Sequence, residues 1–230
     1  MKSRFVVLPV AALIFVTGCG SSKKTTTTSS SSTTTTVPIN DAGAAGLLPA
    51  TADMPEGYGA EATITPDYLR KPPNAGPCNG PGAVARAKNA TGVSSIGFTK
   101  DPTSGPSLEI DDLAFPTKKD ATNFMAATRQ VVGACPSETE SSSDPPTKDI
   151  YDIISVKKFG DDAYAYWVTG NLLSDETKIS WILERIWFQK GRYVEDVTRI
   201  TTGLAGSDFN ETKEAAVKSL AVLQTKAKLR

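Results

Sequence analysis

The chain has 230 residues, with 25 Lys+Arg against 25 Asp+Glu, no histidine and three cysteines. Zero formal net charge without a basic stretch argues against nucleic acid as a partner. The absence of histidine removes the commonest general base and zinc ligand, so neither a Ser-His-Asp nor a Cys-His catalytic arrangement can be built.

The first element is an address. Lys2 and Arg4 precede an almost unbroken apolar run over residues 5–16. That run is too short for a spanning helix, which needs roughly twenty residues. A charged start, a short apolar run and small residues at its end predict a signal peptide over 1–18. Val16-Thr17-Gly18-Cys19 resembles a bacterial lipobox. Cys19 is therefore expected to carry the lipid and to become the mature N-terminus. A Cys-linked diacylglycerol supplies two chains, enough to anchor stably.

Residues 19–40 follow as a Ser/Thr-rich tether with too little apolar surface to offset ordering entropy. Its average reach is roughly 25 Å. It reads either as a bare spacer or as an O-glycosylated stalk. The expected location is the outer face of the cell membrane, facing the cell wall, with residues 41–230 forming a single monomeric domain large enough for one core. With Cys19 assigned to lipid, Cys78 and Cys135 remain, and in an exported chain an even remainder reads as a disulfide. The bridge would close a loop of about 57 residues, worth roughly 4 kcal/mol in the chain-entropy model. Two free thiols are the alternative.

Within the domain, residues 40–48 suit a short helix stopped at Pro49, and "ATADMPEGYG" is a turn-rich entry. Residues 66–82 are irregular and Pro/Gly-rich around Cys78. Strands are expected at 93–99 and 108–115, paired as a hairpin across "KDPTSGPS". A helix then starts at a Thr117/Asp120 capping box and ends at Pro136. Its apolar face is Ala121, Phe124, Thr128, Val131 and Cys135. "SETESSSDPPTK" reads as an acidic loop. Four strands follow at 150–158, 163–169, 178–189 and 193–201. A last helix over 210–229 carries the stripe Ala216, Val217, Leu220, Leu223 and Ala227. The order predicts an α+β fold, an antiparallel sheet of about six strands with helices packed on one face.

The lipobox, the tether, "LLPATADMPEGYG", a cysteine ending the mid-chain helix and "FGDDAYAYWVTGN" together resemble actinobacterial cell-envelope lipoproteins. The domain resembles the extracellular sensor domain of PknH-type receptor kinases, and also LpqN-type lipoproteins with a PsbP-like sandwich. The PknH resemblance implies an α+β domain with two disulfides beside a cleft. This sequence has cysteines for one bridge only, with Cys135 as the helix-end cysteine.

If Phe188 faces Tyr193 across "QKGR", one face of the last hairpin carries Trp181, Leu183, Trp187, Val194 and Ile200, interrupted by Arg185 and Asp196. The other carries Ile182, Ile186, Phe188, Tyr193 and Val197, interrupted by Glu184, Glu195 and Arg199. One face is expected in the core and the other partly exposed. Trp181, Arg185, Trp187 and Asp196 are thus the candidate ligand surface, Arg185 fixing an anionic or hydroxyl-bearing group while the indoles supply apolar contact. The alternative is a twisted sheet with an ordinary cross-strand ion pair. Tyr164 and Tyr166 share a face, and either stack on sugar rings or pack against a helix. Glu109 and Asp111 point to one side of their strand and Asp112 to the other, so they do not chelate one ion together. No metal site, cofactor, phosphate loop or nucleophile elbow is expected. The sequence thus points to a non-catalytic binding or sensor-type lipoprotein. Its partners are the membrane, through its anchor, and a cell-wall or lipid ligand. Two alternatives remain open: a carrier of an apolar envelope ligand held between sheet and helices, and a carboxylate-dependent glycan-active enzyme.

Overall fold

A computed structural model describes residues 39–64, 70, 87–100, 105–140, 145–202 and 209–228. The expectations for residues 1–18, for Cys19 and most of its tether, and for Cys78 lie outside these residues.

Asn40 caps α1 (Asp41–Ala45), its side chain accepting from Gly43 N at 2.9 Å. After a 3-10 turn at Thr51–Asp53 come β1 (Gly59–Ile64), β2 (Gly92–Thr99) and β3 (Ser107–Ala114). Thr117 opens α2 (Lys118–Gly133), accepting from Asp120 N at 3.2 Å and donating to the Asp120 carboxylate at 2.6 Å. There follow β4 (Ser137–Glu140), β5 (Thr147–Ile154), β6 (Asp162–Leu172), β7 (Asp175–Lys190), β8 (Tyr193–Thr202) and α3 (Phe209–Lys226).

The eight strands form one sheet in the order β1-β2-β3-β8-β7-β6-β5-β4, every neighbouring pair antiparallel. Two meanders build it. The first runs β1 to β3. The chain then passes through α2 to the far edge and returns strand by strand until β8 pairs with β3. The fold is α+β, but the sheet is wider than the six strands expected. The two extra strands are the outermost ones. β4, with the sequence SETE, has no apolar alternation to announce it, and β1 directly follows a turn cluster.

The long helices lie on opposite faces, which corrects the expectation of a single helical face. Ala121, Phe124, Met125 and Val132 of α2 pack with Leu113, Tyr164, Tyr166, Leu183, Trp187 and Val194. Ala215, Ala216 and Leu223 of α3 pack with Phe98, Leu108, Ile110, Ile186, Phe188 and Val197, joined by Leu47 and Leu48 from beyond α1. Alternate residues of β7 and β8 enter different cores, and each face needs its own cover. The α3 stripe differs from the expected one. Thr212, Ala215, Ala216, Ser219 and Leu223 are buried, while Val217 is 57% exposed. Thr212 and Ser219 meet carboxylates reaching from the sheet there.

Candidate functional site: a charged band across the central strands

β7 and β8 are joined by the two-residue turn Gly191-Arg192, with Lys190 opposite Tyr193. Gly191 has φ +60°, the backbone of the first central position in a tight hairpin turn. The expected pairing of Phe188 with Tyr193 is offset by two residues from the observed one, which sets Phe188 opposite Glu195. A shift of two keeps every side chain on its face. Arg185 therefore lies opposite Thr198, and Asp196 lies opposite Trp187, one step along the same face.

On the α2 face, Arg185 Nε donates to Asp196 Oδ2 at 2.6 Å, and a second guanidinium nitrogen pairs with the same oxygen. The Arg185 guanidinium lies 5.3 Å from the Trp187 ring. Thr198 Oγ1 reaches both Asp196 oxygens at 3.3 Å. Arg185, Trp187 and Asp196 are all buried, and Trp181 is half-buried at the end of the face. Asp111 stands directly opposite Asp196 and is itself buried, and Glu109 accepts from Ser95 Oγ at 3.1 Å on the same side. One guanidinium thus faces several carboxylates. Burial pushes the Asp111 carboxyl up to about 8, with the Asp196 and Glu109 charges adding to it. Burial also raises Asp196, and Arg185 holds that rise in check.

The band continues through the sheet onto the α3 face. Asp112 stands opposite Glu195, and both are fully buried. Ser219 of α3 donates to Glu195 at 2.6 Å. Neither oxygen of Asp112 meets a hydrogen-bond donor. Burial and the neighbouring Glu195 and Asp111 charges hold the Asp112 carboxyl well above the usual range. Burial raises Glu195 to about 7 against the pull of Ser219 and Lys226. Further along this face Thr212 donates to Glu184, and Arg199 Nε sits 3.0 Å from Glu211 Oε2. The α3 helix is therefore fastened by carboxylates reaching from the sheet. Among the described residues, no group of three or more acidic or cysteine side chains is arranged to hold a metal ion.

Tyr164 and Tyr166 are buried and stacked on one another at 6.3 Å, and Tyr164 stacks on Trp187 at 6.5 Å. Of the two readings the packed one holds, and the exposed sugar platform does not. Cys135 is buried at the end of α2; Cys78, its expected partner, lies outside the described residues.

An open groove of about 370 Å³ lies elsewhere, between α3 and the β5–β6 connection, lined by Val156, Lys157, Lys158, Phe159, Lys213 and Val217. Sequence reasoning missed it by extending a strand through 156–158 and assigning Val217 to the core. The adjacent Lys157-Lys158 before Phe159 was the signal available.

The fold is similar to that of the extracellular domain of PknH. The crystal structure of the extracellular domain of PknH from Mycobacterium tuberculosis matches 84% of this chain and 98% of its own, with a TM-score of 0.53 at 11% identity. An X-ray structure of an Rv0999 ortholog from Mycobacterium smegmatis matches 75% of this chain and 92% of its own, at 12% identity and a TM-score of 0.36. No protein-family model matches the chain, and no curated protein matches it.

Proposed function

We propose that this chain is a lipid-anchored, extracytoplasmic binding or sensor-type domain that works without catalysis on the outer face of the cell membrane. The observation that carries the reading is the shared fold: nearly the whole of an extracellular domain, 98% of it, has its counterpart here. The sequence before the domain supports the anchor, with a short apolar run followed by Val16-Thr17-Gly18-Cys19. Among the described residues no helix is long and apolar enough to cross a membrane. The filled cores under α2 and α3 favour a ligand taken at the surface over an apolar cargo enclosed between sheet and helices.

The anchor is tested by Cys19→Ala in the natural host. The variant is expected to leave the detergent phase or to accumulate as an unprocessed precursor. Unchanged partitioning would remove the lipoprotein reading. Turnover of cell-wall fragments or esters by the purified chain would remove the non-catalytic one.

A further inference from the structure

We infer that the groove between α3 and the β5–β6 connection binds an anionic phospholipid, with Lys157, Lys158 and Lys213 holding the headgroup and Val156, Phe159 and Val217 receiving the upper acyl chain. This deepens the proposed function and takes from it the nearness of a bilayer.

Charge singles the groove out. The chain has as many basic as acidic residues, and among the described residues several of its other cations are paired. Lys100 meets Glu211, Lys118 and Lys190 meet Asp161, Arg129 meets Asp162, Lys148 meets Glu176 and Lys218 meets Glu214. Lys157, Lys158 and Lys213 are exposed, and among the described residues none of them pairs with a carboxylate. No acidic residue lines the groove. Three uncompensated ammonium groups around one concavity create a local positive field that selects an anion.

The floor separates an amphiphile from a bare anion. Phe159 packs on Phe188 of the core at 5.2 Å, which fixes the aromatic floor. Val217 projects at 57% exposure from the solvent side of α3, and its exposure costs stability unless something covers it. The Lys213 ammonium lies 4.9 Å from the Phe209 ring, so its stem runs beside apolar surface with the charge at the rim. A volume of about 370 Å³ suits a headgroup with a few methylenes.

The test uses the full-length purified chain and short-chain lipids below their micelle concentration, so that the chain's own anchor contributes equally to every measurement. Dihexanoyl phosphatidylglycerol is expected to bind at least tenfold more tightly than dihexanoyl phosphatidylcholine. The triple variant Lys157→Ala, Lys158→Ala, Lys213→Ala should lose at least tenfold of that affinity with an unchanged melting temperature. Val217→Asp should weaken the lipid while leaving the fold intact. Equal affinity for both lipids would overturn the proposal, as would full affinity in the triple variant. Inorganic phosphate binding as tightly as phosphatidylglycerol would overturn it too, since the site would then be a bare anion site. Partitioning of the Cys19→Ala variant reports on the anchor independently, so the anchor and the groove can fail separately.

Discussion

At the scale of single residues, the buried carboxylates set how the domain responds to pH. Asp112 and Glu195 face each other with no water access, so both cannot be charged at modest cost. In the unfolded chain both titrate near pH 4. In the folded chain both are raised, Glu195 to about 7, and Asp111 on the opposite face of the sheet is raised to about 8. Between those values the folded state holds more protons than the unfolded state, so stability falls as pH rises through that window. Asp41 and Asp161 act in the opposite sense, because their carboxyls are lowered, but their loss of stability begins only below about pH 4. The domain is therefore expected to melt at a higher temperature at pH 5 than at pH 8. Asp112→Asn keeps the shape of the protonated acid and removes its titration. Melting curves across pH should show the variant close to the parent at pH 5, more stable than it at pH 8, and with a flatter slope between. A variant with the parental slope would show that Asp112 is ionised throughout.

At the scale of elements, the β7–β8 hairpin shows what a sequence discloses and what it conceals. Side-chain alternation has a period of two, so the membership of each face was legible, down to Arg185 and Asp196 sharing one face and Glu184, Glu195 and Arg199 the other. The register was not, because "QKGR" admits loops of two or four residues, and only the backbone of Gly191 decides between them. Nor was the burial of both faces. One face is expected in the core and the other partly exposed, whereas the structure buries the charged residues of both, pairing Arg185 with Asp196 and Ser219 with Glu195. The Arg185 expectation follows from that pairing. Removing one partner of a buried ion pair costs about 3–5 kcal/mol, because the other charge stays desolvated. Arg185→Ala should therefore lower the urea midpoint by an amount of that order. The joint replacement Arg185→Met with Asp196→Leu should recover much of the loss. An Arg185→Ala variant with parental stability would show that water reaches the pair, and would return this face to consideration as a binding surface.

At the scale of the whole molecule, the three cysteines form one system, and its wiring is open to a thiol count. Cys135 lies where α2 hands the chain to the far edge of the sheet, with Tyr151 N of β5 donating to Pro136 O at 3.1 Å just beyond it. A covalent tie there would hold the crossover that joins the two meanders. If Cys135 is bridged within the chain, the sequence leaves only Cys19 and Cys78 as partners. We propose Cys78, since Cys19 sits in the lipobox. The enclosed loop of about 57 residues makes the bridge worth roughly 4 kcal/mol by chain entropy. Cys19→Ala distinguishes the pairings without needing the lipid. Purified under denaturing, non-reducing conditions, that variant should show no free thiol, and after reduction two. Two free thiols before reduction would mean that Cys78 and Cys135 are not bridged to each other, and the pairing would fall. Reduction should also lower the urea midpoint. If it leaves stability untouched, the bridge is not what holds the crossover, and the packing of Phe124, Met125 and Val132 alone keeps α2 on the sheet.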